Sequence, residues 1–238
     1  MLIYKSHNYK IYKANTMRCS CFLIEYGEDL VLWDTSMKYE LGSIYHEIEK
    51  TTEKKLNAVF ISHAHTDHAA NAQMLSQKFK CPVYVHENGI ELLKNGRCPV
   101  PKGTNLMGRT MHMLSKTLAF IYDFAKIDPC RNIDILNQNI VTNHLGENAV
   151  LLEVKGHTDD SYALALDGRI CLSGDVFVNS FCQFYPPFAD YPEEIISSWK
   201  KLLALKCTNY YPGHGKAADR ETLSKNIKKA ERRNKGQK

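Results

Sequence analysis

Apolar and polar residues alternate in short runs over the first sixty positions. YKIYK, CFLIEYG and VLWDTS are separated by turn residues, and the period of two predicts strands. Gly27 and Asp29 lie between the last two runs, where a hairpin is expected. LGSIYHEIEKTTEKKL then shifts to helical spacing, with Ile44, Ile48 and Leu56 on one stripe. NAVFIS reads as a short buried strand, AANAQMLSQKF as a helix and CPVYVHE as another strand. The second half repeats this organisation. NAVLLEVKG predicts a strand and SYALALDGRICLSGD a hairpin turning at Asp167-Gly168. EEIISSWKKLLALK predicts a helix opened by a capping box of Asp190 and Glu193, and CTNYYPGHGK a strand entering a glycine-rich turn. Two such halves suggest sheets packed together and covered outside by helices.

Residues 96–140 break this pattern. Met107, Met111, Leu114, Leu118, Ile121 and Ala125 recur at helical spacing, which predicts an added helix packed on the body, with a lid or a dimer contact as the other readings. The closing stretch SKNIKKAERRNKGQK carries much of the formal net charge of +5 and is read as a basic helix with a solvated face and tail. Nucleic acid is therefore not the expected partner. With 238 residues, 44% of them hydrophobic and 24% charged, the chain has apolar content for a sizeable core. No run reaches the length of a membrane span and the first residues lack a signal-peptide core, so no membrane partner and a cytoplasmic location are expected. The eight cysteines (19, 21, 81, 98, 130, 171, 182 and 207) show no C-x-x-C pair and are expected as buried thiols.

The chemistry is concentrated at strand ends. His63, His65, Asp67 and His68 fall within six positions directly after the strand NAVFIS. Alternate residues of an extended segment point the same way, so His63 and His65 can present two imidazoles to one point. Asp67 and His68 sit where the chain turns into a helix and can face a neighbouring point, so one loop could hold parts of two metal sites. Other strand ends supply His157 after Gly156, Asp175 in LSGDVF, and His214 between two glycines in YPGHGK. Five histidines and two carboxylates suit borderline divalent ions such as zinc better than calcium or magnesium.

The motifs HAHTDH at 63–68, GHT at His157, SGD at Asp175 and PGHG at His214, in this order, resemble the metallo-β-lactamase superfamily of binuclear metal hydrolases. The resemblance implies an α+β chain folded as an αββα sandwich, with two mixed β-sheets packed together and flanked by helices. It implies a single domain over 1–238, with a helical insertion at about 96–140 and the basic C-terminal helix. It further implies that His63, His65 and His157 bind one ion, that Asp67, His68 and His214 bind a second, and that Asp175 bridges them. Asp34, in VLWDTS, matches the family's aspartate that orients a ligand histidine. The cofactors would be two divalent ions, zinc first, with iron or manganese able to occupy the same donors. Two ions about 3.5–4 Å apart can share a water and lower its pKa, giving a bridging hydroxide that attacks an electrophilic centre. Asp67 or Asp175 would then take a proton during turnover.

Members of the superfamily can be weighed against particular positions. The di-iron redox members have a glutamate where this chain has His65, which favours zinc hydrolysis. The glyoxalase II and lactonase members usually add a second histidine after the third motif, where Asp160 stands here. The tRNA-processing nucleases rely on a substrate-grasping arm that is not found. After Asp175, the aromatics Phe177, Phe181, Phe184, Tyr185, Phe188 and Tyr191 form a candidate apolar wall, with the methionine-rich segment as a second. A small to medium substrate with an apolar portion and an ester, thioester or lactone bond is expected. Phe177, Phe184, Tyr185, His112, Tyr210 and Lys216 are the candidate substrate contacts. A phosphodiesterase or ribonuclease, and a non-catalytic metal-binding sensor, are the alternatives, and the 96–140 segment leaves room for a homodimer.

Overall fold

The computed structural model describes residues 1–51, 53–118, 125–179 and 183–235. Ile121, Phe181 and Cys182 lie outside the described residues. The first sheet contains β1 (Leu2–Lys5), β2 (Tyr9–Lys13), β3 (Phe22–Tyr26), β4 (Asp29–Trp33), β5 (Ala58–Phe60), β6 (Val83–Val85) and β7 (Ile133–Ile135), in that spatial order. Its strands are antiparallel from β1 to β4 and parallel from β4 to β7. The helices α1 (Leu41–Thr51), α2 (Thr66–Ala69), α3 (Ala72–Phe79), α4 (Glu87–Lys94), α5 (Leu106–Thr117) and α6 (Gln138–Leu145) fall between or after these strands.

The second sheet contains β8 (Ala149–Glu153), β9 (Tyr162–Leu166), β10 (Ile170–Leu172), β11 (Asn209–Tyr211) and β12 (Ala218–Asp219), in the order β12-β11-β10-β9-β8. Only its β10–β11 pair is parallel. Helices α7 (Ile195–Ala204) and α8 (Arg220–Lys235) complete the fold.

The period of two decides the layers. Phe22 and Ile24 of β3, Val31 and Trp33 of β4, and Ala58 and Phe60 of β5 meet Leu164 and Leu166 of β9 and Ile170 and Leu172 of β10 in one buried cluster between the sheets. The intervening residues point outward. Leu23, Leu30, Leu32 and Val59 pack with Ile44 and Ile48 of α1, Leu75 of α3 and Leu93 of α4. Ala163, Ala165, Cys171 and Tyr210 pack with Ile195, Trp199 and Leu202 of α7 and Leu223 and Ile227 of α8. The result is an αββα sandwich with two mixed sheets. Turn chemistry agrees with the expected hairpins: Gly27 (φ +52) joins β3 to β4, and Asp167 and Gly168 (φ +58 and +59) join β9 to β10.

Four local expectations are corrected. Leu56 is buried in the outer cluster of the first sheet but lies beyond α1, which ends at Thr51. Asp190 and Glu193 form no capping box: Asp190 Oδ1 accepts from Lys102 N (3.1 Å), and α7 begins after a 3₁₀ turn at Pro192–Glu194, with no side-chain cap. Residues 96–140 are not wholly an insertion. β7 is an edge strand of the first sheet, and Leu136 belongs to the central core. The methionine stripe of α5 does not pack on the body either, because Met107 and Met111 are about half exposed. The buried residue of α5 is Gly108, where a Cβ would stand 2.1 Å from Pro187 O, so the helix is seated through its glycine.

The strand directions place one edge of the sandwich. β4 and β5 are parallel, so their C-terminal ends deliver Asp34 and residues 61–68 to the same edge of the first sheet. β8, β10 and β11 also share a direction and end in the segments bearing His157, Asp175 and His214. Among the described residues no helix is long and apolar enough to cross a membrane, and Cys19, Cys21, Cys81, Cys98, Cys130, Cys171 and Cys207 are free and buried.

Candidate metal centre

Three imidazoles converge at the edge between the sheets. His63 Nε2 lies 2.8 Å from His65 Nδ1, and His157 Nε2 lies 2.9 Å from the same atom. Their outer nitrogens are tied down in ways that fix the tautomers. His157 Nδ1 donates to Phe188 O (2.8 Å), leaving the lone pair on Nε2. Asp34 accepts from Ser62 N (2.8 Å) and from Ser62 Oγ (2.9 Å), so Ser62 Oγ is left to accept from His63 Nδ1 (3.0 Å). The His63 lone pair is thereby also on Nε2. Two lone pairs then face one nitrogen, an arrangement that a shared cation satisfies and that one proton cannot.

A second group adjoins the first. His68 Nδ1 donates to Asp34 Oδ2 (2.9 Å), and its Nε2 is aimed at Asp175 Oδ1, 3.4 Å away. Both of these inward-facing atoms are buried without a hydrogen-bond partner. His214 Nε2 stands 3.2 Å from Asp67 Oδ2 and 3.1 Å from Asp175 Oδ2, and Asp175 Oδ2 is 3.7 Å from His157 Nε2. Asp175 thus faces both groups. Gly213 makes this approach sterically feasible, since a Cβ there would stand 2.2 Å from Asp175 Oδ1 and 2.7 Å from His68 Cε1. Orphaned donors of this chemistry, gathered at one buried point, fit metal ions.

Local backbone and buried polar residues hold the loops in place. Asp34 is fully buried and adopts a left-handed conformation (φ +62), which aims its carboxylate at Ser62 and His68 together. Asp160 accepts from Ala64 N (2.7 Å) and braces the turn between His63 and His65. Burial pushes its carboxyl up from the ordinary value. Cys19 Sγ lies 3.3 Å from His68 Nδ1, and Ser20 N donates to Gly213 O (2.7 Å), which ties the β2–β3 loop to the His214 turn.

The two groups differ electrostatically. Burial, reinforced by the neighbouring imidazoles, pushes His63 and His65 well below the usual histidine range. Burial opposes the charge on His68 too, but Asp175 and Asp34 outweigh it and hold His68 well above that range. His214, likewise opposed by burial, is pushed up to about 10 by Asp175 and Asp67. Despite burial, Asp175 is held low by the charges of His214 and His68, and Asp67 chiefly by its hydrogen bond to His214. His63 and His65 are thus held toward the neutral form and His68 and His214 toward the charged one.

A cleft of about 380 Å³ opens over the centre. His65, Asp67, His157, Asp175 and His214 line it, together with Arg18, Met37, Thr66, Cys98, Pro99, Val100, Pro101, Met107, Met111, Val178, Gln183, Pro186, Pro187 and Phe188. The apolar wall after Asp175 is therefore made by Val178 and Pro186–Phe188, and the methionine-rich segment contributes Met107 and Met111. None of the six candidate substrate contacts lines the cleft. Phe177, in the loop after β10, and Tyr210, on the outward face of β11, are fully buried in the outer cluster of the second sheet. Phe184 stacks on Phe177 (4.7 Å) and meets Trp199 edge-on, while Tyr185 also packs on Trp199 and donates its hydroxyl to Pro192 O. His112 Nδ1 is 3.1 Å from Val100 O, and Lys216 is an exposed residue whose backbone N donates to Asn179 O. Arg18, Ser62 and the Pro99–Pro101 turn were not legible as site residues. Long-range packing brings Arg18 and residues 99–101 to the centre, whereas Ser62 directly precedes His63 and shows its role only through its bonds to Asp34 and His63.

A sandwich of this topology with histidine and carboxylate donors at its shared edge is the architecture of a metallo-hydrolase. The chain belongs to the metallo-beta-lactamase superfamily, whose sequence profile matches residues 14–214. It is 20% identical over 206 residues to a probable metallo-hydrolase of Methanocaldococcus jannaschii, covering 83% of this chain and 88% of that protein. Among solved structures it resembles a metallo-beta-lactamase family protein of Thermus thermophilus (TM-score 0.65, 16% identity, 94% of this chain and 80% of the other). It is similar in fold to a protein solved in a di-iron-bound form (TM-score 0.61, 20% identity, 94% and 96% covered).

Proposed function

We propose that the protein is a binuclear metal-dependent hydrolase that cleaves an ester, thioester or lactone bond in a small to medium substrate with an apolar portion. The observation that supports this best is the cleft itself, whose floor is the donor cluster and whose walls are proline, methionine, valine and phenylalanine side chains. His63, His65 and His157 would hold one ion and Asp67, His68 and His214 the other, with Asp175 shared between them. Two bound divalent ions supply an activated water at neutral pH and polarise the oxygen under attack. The protein's own contribution is positioning: Asp34 and Ser62 hold His63 and His68, and the Phe188 carbonyl holds His157. Asp67 and Asp175 border the cleft and are placed to accept the proton released in the hydrolytic step. The apolar walls keep bulk water away from the reacting bond.

Zinc is the proposed ion, because His65 supplies a nitrogen where the redox members have a carboxylate. The similarity to a protein in a di-iron-bound form is what favours iron as the competing outcome. A reducing cytoplasmic setting fits the free thiols among the described residues. The basic face of α8, formed by Lys225, Lys228, Lys229, Arg232 and Arg233, contributes nothing to the cleft, so phosphodiester substrates are not favoured. Elemental analysis of purified protein, paired with a panel of esters, thioesters, lactones and phosphodiesters, tests the proposal. About two zinc ions per chain with ester, thioester or lactone cleavage is the expected result. Two iron ions without hydrolysis would replace it with redox chemistry, and metal without turnover on any substrate would leave a binding protein.

A further inference from the structure

We infer that Arg18 is the substrate-recognition residue of this cleft and that the substrate carries a carboxylate at the end remote from its apolar group. The inference rests on the hydrolase reading and names the class of substrate it acts on. Apart from the proposed metal donors, Arg18 is the one charged side chain among the described residues that line the cleft. Among the described residues its guanidinium has no ion-pair or hydrogen-bond partner, so its five donors are available.

The backbone beneath Arg18 is fixed. The buried carboxylate of Glu40 accepts from Met17 N (2.6 Å) and Arg18 N (3.3 Å) and is itself bonded by Ser36 Oγ. The next turn of the loop is pinned by Ser20 N to Gly213 O, beside His214. A buried acid that organises a surface loop, and so presents a single arginine beside the donor cluster, is more than a solvated charge requires.

The geometry also gives the ligand an orientation. Arg18 belongs to the loop joined to the His214 turn, whereas Phe188, with Pro186 and Pro187, belongs to the segment whose carbonyl holds His157. Anion recognition therefore lies on the side of Asp67, His68 and His214, and the apolar wall lies on the side of His157. Among the described residues that line the cleft there is no lysine and no second arginine, and a single guanidinium suits a monoanionic carboxylate better than a phosphate dianion.

The test pairs two esters that differ in one charge, mono-p-nitrophenyl glutarate and p-nitrophenyl pentanoate, in the metal-loaded wild type, Arg18→Gln and Arg18→Lys. The wild type should prefer the anionic ester, and Arg18→Gln should lower that preference about tenfold, with Arg18→Lys retaining most of it. Binding of phenylbutyrate and of phenylbutanamide to the same proteins, followed by NMR, gives a readout independent of turnover. The carboxylate's advantage over the amide should shrink in Arg18→Gln at unchanged metal content. An equal advantage in wild type and Arg18→Gln would overturn the assignment. If the wild type cleaves neither ester, the hydrolase reading is decided by the wider panel of thioesters and lactones, and the binding pair alone decides the role of Arg18.

Discussion

Replacing Asp34 by asparagine exchanges one buried carboxylate oxygen for an amide nitrogen at the residue that fixes two tautomers. Asparagine tolerates the left-handed φ of +62, so the backbone need not move. The amide oxygen can keep the bond from Ser62 N, but its NH₂ then faces two donors, Ser62 Oγ and His68 Nδ1. Ser62 Oγ has a second lone pair and can accept from the new amide and from His63 together. His68 has no such escape. It loses its acceptor or moves its proton to Nε2, the atom aimed at Asp175. The lost charge-assisted bond should lower the stability of the metal-free protein by about 1.5–3 kcal/mol. Loss of an orienting partner weakens metal binding by about 10–100-fold, or roughly 1.4–2.7 kcal/mol, and the weakening should fall on the second ion. Metal content measured across a series of buffered free-zinc concentrations separates the two equivalents. The reasoning is refuted if both ions remain at wild-type affinity in Asp34→Asn, or if the first equivalent alone is weakened.

Other consequences can be measured on the same preparations. His65→Ala removes the nitrogen toward which His63 and His157 both point, so one ion per chain should be lost together with hydrolysis; two ions retained would show the ligand set to be misassigned. Because His68 and His214 are held in their charged forms while His63 and His65 are held neutral, loading the second ion at pH 7.5 should release about two protons and loading the first fewer, as calorimetry in buffers of different ionisation enthalpy can show. In the metal-free protein the raised His214 contributes stability that is fully present below about 6.5 and is lost as pH rises through about 10; a flat melting temperature across that window would contradict the Asp175 and Asp67 contacts. Phe184→Ala should cost about 2–3 kcal/mol through lost packing on Phe177 and Trp199 with both ions still bound, and altered metal content at unchanged stability would reverse that assignment.

The layers and the donor cluster were legible for the same reason: each is written in local spacing. Alternation in β3, β4 and β9 separates central from outer residues one by one, so Phe22 and Leu23 reach different cores despite being neighbours. The donors begin a few residues beyond such strands, where a strand end forces an aim. The walls of the cleft obey no such rule. Phe177 and Phe184 looked like wall residues because they follow Asp175, yet which side of the chain they present is set by Trp199 of α7, far away in sequence. Arg18 reaches the centre through Glu40 and Gly213, contacts that only the assembled sheets create. The methionine stripe carried a true helical period, but period alone does not say whether a helix faces the body or the cleft.

Each of the two donor groups draws members from both sheets: His63 and His65 follow β5 while His157 follows β8, and Asp67 and His68 lie in α2, after β5, while His214 follows β11. An ion seated in either group would therefore act as a rivet between the halves of the sandwich, closing chain loops on the order of a hundred residues. Metal supply and protein lifetime then become one variable. A ligand at about a thousand times its dissociation constant adds roughly 4 kcal/mol to folding stability, so chelation should expose the chain to proteolysis by letting the sheets part. A cell short of the ion would register the shortage first as a falling amount of this protein, before any change in the catalytic competence of the molecules that remain.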